Sequence, residues 1–158
     1  MAAWSHGRRC CGRPAPPALA VHVIDASVWV ASFVESDVYH RASMEWIAGQ
    51  IDRGATVVSP VLALPEIAGA VARRTSRESL GMRATEMVLR LPNIRLVPLD
   101  LRLSRLAADI AARLRVRGAD AVYVGLAKAL NIPLLTWDRE QTERARPEID
   151  VIAPDGPP

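Results

Sequence analysis

Apolar positions along the chain switch between a strand-like and a helical period. Val21–Ile24 is a short strand-like run broken only by His22. Ser27 to Phe33 then reads as a short helix, and His40 to Asp52 as an amphipathic one ended near Gly54. Thr56–Ser59 is predicted as a second strand. In the predicted helix from Pro60 to Arg74, Leu64, Ile67, Ala68 and Val71 follow the i, i+3, i+4, i+7 spacing of one buried face. Glu78 to Arg90 is predicted as another helix, stopped by Pro92, and Ile94–Val97 as a third strand. Asp100 can cap a long helix with a stripe at Leu103, Ala107, Ile110 and Leu114, running to Arg117 and ended by Gly118. Asp120 to Leu130 is apolar on nearly all sides, which predicts a central helix. Ile132–Thr136 is predicted as a fourth strand, followed by a short helical turn after Asp138, and Asp150–Ile152 as a fifth. Strands alternating with helices predict an α/β domain around a parallel sheet.

The length of 158 residues is that of one domain, and half of them are hydrophobic, enough for a substantial core. Aromatics make up only 4%, so that core is built from Ala, Leu, Val and Ile. No run approaches the ~18 uninterrupted apolar residues of a membrane span. The net charge of +3 is a weak guide to partners: residues 1–20 hold Arg8, Arg9 and Arg13 and no acid, and the remainder carries 17 basic and 17 acidic side chains. Any basic surface must therefore be local. Only Lys128 among the 20 basic residues is a lysine, and the arginine forks suit phosphate oxygens. Cys10 and Cys11 are adjacent and fit neither a disulfide framework nor a metal site, so a reducing, cytoplasmic setting is the simplest reading. Residues 1–20, with Pro14, Pro16 and Pro17, make a poor signal peptide. They are expected to form a disordered extension or to precede the true start, with the folded domain at 21–152 and a flexible tail at 153–158.

Four acids stand in strongly apolar surroundings: Asp25 after Val-His-Val-Ile, Glu66 in Leu-Ala-Leu-Pro-Glu-Ile-Ala, Asp120 in Gly-Ala-Asp-Ala-Val-Tyr-Val, and Asp138 after Pro-Leu-Leu-Thr-Trp. An uncompensated buried carboxylate loses several kcal/mol of hydration. Each has an ordinary explanation. Asp25, Asp120 and Asp138 can cap helices, and Glu66 can oppose a helix dipole. Taken together they are more informative. In an open parallel sheet, ligands bind outside the carboxyl ends of the strands, where strand order reverses. All four acids can reach that edge. Ser27 and Thr136, each two residues from an acid, can bond a carboxylate, a metal-bound water or a phosphate.

The segments Asp-Ala-Ser-Val-Trp-Val at 25–30, Leu-Pro-Glu-Ile-Ala-Gly-Ala at 64–70, Arg-Gly-Ala-Asp-Ala-Val-Tyr-Val at 117–124 and Leu-Leu-Thr-Trp-Asp at 134–138 resemble those of the PIN-domain ribonucleases, above all the VapC-type toxins of toxin–antitoxin pairs. The resemblance covers about residues 21–152. It implies a PIN-like three-layer α/β/α domain with a central parallel sheet of four to five strands. It implies a metal-dependent endoribonuclease whose acidic quartet falls on Asp25, Glu66, Asp120 and Asp138, with Ser27 and Thr136 as accessory hydroxyls. Phosphodiester hydrolysis at such a site leaves 5′-phosphate and 3′-hydroxyl ends. The expected cofactor is Mg²⁺ or Mn²⁺, since hard oxygen ligands without Cys or clustered His disfavour zinc. His40 is expected to begin a helix rather than bind metal.

The same resemblance implies a cognate VapB-type antitoxin, bound in an apolar groove formed by the helices after the first strand, and a homodimer. Arg117 and Arg139 are candidate RNA phosphate contacts, with Arg73, Arg74, Arg77 and Arg115 also near the motifs. Each can equally be a solvated helix end. Trp29, Trp46 and Trp137 are expected in the core. Competing readings are a housekeeping PIN nuclease and a non-catalytic RNA- or metal-binding module. A haloacid-dehalogenase-like phosphatase would need an acid where Ser27 stands.

Overall fold

The computed structural model describes residues 21–154; the expected extension at 1–20 and residues 155–158 lie outside the described part. Five strands and seven helices alternate in it: β1 (His22–Ile24), α1 (Ala26–Phe33), α2 (His40–Asp52), β2 (Val57–Pro60), α3 (Ala63–Thr75), α4 (Glu78–Leu89), β3 (Ile94–Val97), α5 (Leu101–Leu114), α6 (Gly118–Leu130), β4 (Leu134–Leu135), α7 (Arg139–Ala145) and β5 (Val151–Ile152). All strand pairs are parallel, in the order β3-β2-β1-β4-β5. The chain builds outward from β1 through β2 to β3, then returns to the other side of β1 for β4 and β5. The strand order therefore reverses between β1 and β4. Val23 lies opposite Leu134 and Ile24 opposite Leu135. The Asp25 N–H donates to the Leu135 carbonyl at 2.9 Å, so Asp25 leaves the sheet beside Thr136.

Side-chain pattern explains the layers. β1, β2 and β4 are buried through most of their length, as expected of strands covered on both faces. α6 is central as its composition predicts: residues Ala121 to Ala127 are all buried. α5 lies against α6, and α3 packs on both α1 and α4. His22 fits β1 because Trp46 meets its ring edge-on at 5.3 Å. Burial, with Arg53 nearby, holds its pKa below the ordinary value. No helix among the described residues is long and apolar enough to cross a membrane.

Four boundaries differ from the sequence-based expectation by more than one residue. Pro60 does not start α3; it ends β2, opposite Val97. Tertiary pairing with β3 claims it first, and a proline needs no donor at a strand end. α5 stops at Leu114 rather than Arg117, with Arg115 in the left-handed conformation (φ 55°) and its carbonyl accepting from the Arg144 guanidinium. Gly118 then opens α6 instead of closing α5. β4 is shorter than expected, Leu134–Leu135, because Pro133 cannot donate to a neighbour, although the Thr136 N–H still donates to the Ile152 carbonyl at 3.1 Å.

The α3–α4 contact bears on the acids because α3 carries Glu66. A Cβ on Gly81 would stand 2.3 Å from the Ala68 carbonyl oxygen, a backbone atom that cannot swing aside. Gly81→Ala is therefore expected to destabilise the protein by about 2 kcal/mol through forced separation of the two helices. Thermal unfolding checks this, and a melting temperature equal to wild type would contradict the packing described.

Candidate active site

Two of the four acids owe their place to helix starts at the strand-order reversal. Asp25 caps α1, its Oδ2 accepting from the Ser27 N–H at 3.0 Å. Asp138 caps α7, its Oδ1 accepting from the Gln141 N–H at 2.9 Å. The capping roles are real, but they occupy only part of each carboxylate. Asp120 is not a cap; it lies in the first turn of α6, whose N-cap is Arg117. Glu66 lies in the first turn of α3.

A short chain of hydroxyls braces the β1 and β4 ends against each other. Thr136 Oγ1 donates to Asp25 Oδ2 at 3.1 Å and accepts from the Asp138 N–H at 3.0 Å. Its one proton is committed to Asp25, so in the 3.3 Å contact between the two hydroxyls Ser27 is the donor. Ser27 Oγ also accepts from the Trp137 N–H at 3.1 Å. Both lone pairs of Thr136 are thereby used. Thr136 acts as a brace that sets the Asp25–Asp138 spacing, and only Ser27 keeps a free acceptor lobe. Gln141, 1% exposed, ties α7 to α6 by donating to the Asp120 carbonyl at 3.3 Å.

The four carboxylates are close enough to disturb one another. Asp25 is buried at 6% exposure; the other three are half-buried, less enclosed than their apolar neighbours in sequence imply. Burial raises the Asp25 pKa, against hydrogen bonds from Ser27 and Thr136 that lower it, and the Asp138 charge adds to the rise. Asp120 is pushed up to about 6, first by burial and then by the charges of Asp25 and Asp138, with Glu66 adding to the rise and Arg117 opposing it. Burial also raises Glu66, while the Tyr123 hydroxyl lowers it.

Surplus negative charge on hard oxygens, half removed from water, is what a divalent cation of the Mg²⁺ or Mn²⁺ type neutralises. The donor set fits such an ion. Among the described residues no three such side chains already close on a common centre. Arg117, exposed, lies near enough to Asp120 to lower its pKa. Arg139 is exposed at the start of α7 and makes no ion pair among the described residues. Arg74 pairs with Asp37, and Arg115 holds its helix end. His40 begins α2, its Nδ1 at 2.9 Å from the Ala31 carbonyl. Trp29 is a core residue, its indole N–H donating to Ser59 Oγ at 3.0 Å. Trp46 and Trp137 are only partly buried.

Tyr123 was not singled out by the sequence. Its side chain is 1% exposed, and its hydroxyl donates to Glu66 Oε2 at 2.6 Å. Burial and the charges of Asp25 and Glu66 raise its pKa, so it remains a donor at any working pH. Its position three residues after Asp120 on one helix puts both on the same face, and that spacing was the available signal. Tyr123→Phe is expected to leave the fold intact, free the Glu66 rotamer and lower kcat about tenfold with little change in KM. Steady-state kinetics on one substrate distinguishes this from an unchanged kcat.

A model of the PIN domain matches residues 22–147. No curated protein matches the chain. Among solved structures, VapC20 of Mycobacterium tuberculosis, a toxin that cleaves the sarcin–ricin loop, superposes with a TM-score of 0.68 at 17% identity, over 77% of this chain and 93% of that one. VapBC2 of Rickettsia felis, bound to a DNA fragment from its promoter, gives 0.65 at 11% identity over 84% and 98%. FitAcB of Neisseria gonorrhoeae gives 0.64 at 17% identity over 84% and 97%. At these identities the likeness is one of fold.

Proposed function

The chain belongs to the PIN-domain family, and from that premise we propose that it is a divalent-metal-dependent endoribonuclease acting as the toxin of a toxin–antitoxin pair. The observation that carries the reading is that the charge of Asp25 reaches Glu66 and Asp120, and that of Asp138 reaches Asp25 and Asp120, at the edge where strand order reverses. PIN domains are generally nucleases. The domain spans residues 21–152.

Asp25, Asp120 and Asp138 would hold the ion. When bound, a hard divalent cation supplies Lewis acidity, lowering the pKa of water and offsetting charge at the phosphate. The chain's own residues do the rest. Asp25 is fixed in place by Ser27 and Thr136. Glu66, oriented by Tyr123, takes the proton from the attacking water or orients it. Arg117 offsets part of the charge at Asp120 and, with Arg139, offers positive charge for the flanking strand.

An antitoxin has a seat in the apolar groove between α1, α2 and α4, a cavity of about 190 Å³ lined by Trp29, Phe33, Met44, Ile47, Met87 and Leu91. Met44 and Met87 are 49% and 50% exposed, an apolar surface suited to an amphipathic helix. A homodimer is part of the same proposal.

Cleavage of a structured RNA in Mg²⁺ or Mn²⁺, with and without chelator, tests the enzymatic reading. Cutting that persists in excess chelator would overturn the metal dependence. Growth arrest on induced expression, reversed by a neighbouring small gene, separates a toxin from a housekeeping nuclease.

A further inference from the structure

Two open grooves meet at Ser27 and Arg74 beside the acid cluster. One, about 460 Å³, is bordered by Glu66, Arg73 and Arg74; the other, about 430 Å³, by Asp138, Tyr39, Trp137 and Val38. Their chemistry differs. The first holds Glu66 against Arg74 and Arg73, and Arg73 makes no ion pair among the described residues. The second holds Asp37 and Asp138 against Arg74 alone, and Arg74 is already paired with Asp37. A phosphate has no charge to meet in the second groove. A nucleobase, uncharged and flat, needs none, and a face to lie on suffices for it.

The second groove also has a preformed aromatic wall. Tyr39 and Trp137 stack with ring centres 4.0 Å apart and planes 11° from parallel. Trp137 is held at both ends: its backbone N–H donates to Ser27 Oγ at 3.1 Å and its indole N–H to Ser43 Oγ at 2.8 Å. Ser43 is fully buried. Tyr39 is fixed by its N–H, which donates to Asp37 Oδ1 at 2.9 Å, and by its place at the N-cap of α2. Both residues are partly exposed and border the groove, and Val38 beside them is 88% exposed. The whole chain has seven aromatic residues of the Phe, Tyr and Trp types, and two of them stand here, one adjacent to Asp138. Core packing needs neither the parallel stack nor its location at the mouth of the acid cluster.

We propose that the Tyr39–Trp137 pair, with Val38, is a stacking subsite for one unpaired base of the strand that crosses the acid cluster, while the backbone on the other side of the cut follows the Arg73 and Arg74 groove. The proposal rests on the nuclease reading and deepens it. It commits the substrate to being single-stranded at the cut, since a base inside a duplex cannot lie on the shelf. Stacking on an aromatic side chain is tolerant of base identity, so this subsite selects for an unpaired base and not for a sequence.

The test uses the full chain and two labelled strands of equal length: a single-stranded RNA dodecamer, and an abasic ribose-phosphate chain that keeps every charge and lacks every base. Binding is measured in Ca²⁺ buffer, with the strands checked for integrity on a gel. The wild-type protein is expected to prefer the base-bearing strand by about tenfold, the effect of roughly one stacked base. Tyr39→Phe keeps the preference, because the ring remains. Tyr39→Leu loses it, and the two strands then bind alike. Equal binding of the two strands by wild type overturns the subsite without any variant being needed, as does an undiminished preference in a folded Tyr39→Leu protein. Failure of wild type to bind either strand overturns the nuclease reading itself, and this subsite with it.

Discussion

Asp25→Asn lowers the cleavage rate by about 10²–10³-fold while the protein folds as well as before. Asparagine is as good a helix cap as aspartate. Its side-chain oxygen can accept from the Ser27 N–H and the Thr136 hydroxyl, as Asp25 Oδ2 now does. What disappears is the charge at the centre of the coupled acids. The substitution thus separates the two explanations that the sequence leaves open for Asp25. If the residue mattered only as a cap, Asn would be silent and Ala would destabilise by about 1–2 kcal/mol. If its charge serves the site, Asn is inactive at full stability. Circular dichroism with a cleavage assay on the same preparation decides, and a fully active Asp25→Asn protein would end the catalytic reading.

Mn²⁺ at about a hundred times its dissociation constant should stabilise the folded protein by about 2.7 kcal/mol, a rise in melting temperature of roughly 5–10 °C. The gain depends on pH. Asp120 has a folded-state pKa of about 6, above the ordinary 3.8. An acid whose pKa is raised by folding contributes stability that is complete below the unfolded value and is lost as pH rises through the folded one. The metal-free fold is therefore penalised by Asp120 from about pH 4 to 6 and above, and an ion removes that penalty by taking the proton's place. At pH 5 the ion must displace the proton, so its affinity falls roughly tenfold relative to pH 7.5. The Mn²⁺-induced shift should shrink accordingly between those two pH values. In Asp120→Asn the shift should be smaller and depend less on pH, with Asp25 left as the ligand that burial raises. Differential scanning fluorimetry over pH and metal concentration measures both, and a pH-independent shift in wild type would remove Asp120 from the ligand set.

The two effects report on different properties of one cluster. The first isolates a charge whose hydrogen-bond geometry is kept. The second reads the burial of a carboxylate beside like charges that the fold has brought together. A protein in which the acids were separate caps would show neither. Glu148, by contrast, is held well below the usual carboxylate range by Arg113 and Lys128, and takes no part in the cluster.

Much of the frame was legible because it is local. Helix faces such as Leu103, Ala107 and Ile110 in α5 follow from the 3.6-residue period, and all three are buried. The caps Asp25, Asp100 and Asp138 act on backbone groups two or three residues away, so their own sequence neighbourhoods predict them. The strand ends that carry Asp25 and Asp138 follow from short apolar runs. Where a distant partner competes, local reading fails. Pro60 reads as a helix start until β3 claims it, and Gly118 reads as a helix stop until Arg115 takes the left-handed turn ahead of it.

The order of elements, the residue types at their ends and the four acids in apolar settings can all be read from the linear chain. Those depend on periodicity and on hydrogen bonds within a few residues, which a linear pattern records. It took the folded chain to lay β4 against β1, bringing Thr136 to Asp25 across 111 residues, and to carry Tyr123 to Glu66 across 57. The same folding stacks Tyr39 on Trp137 beside the acids. Pairing of strands and packing of rings are set by which apolar surfaces bury each other in the assembled core. That choice is made by the whole chain at once, and no short segment carries it.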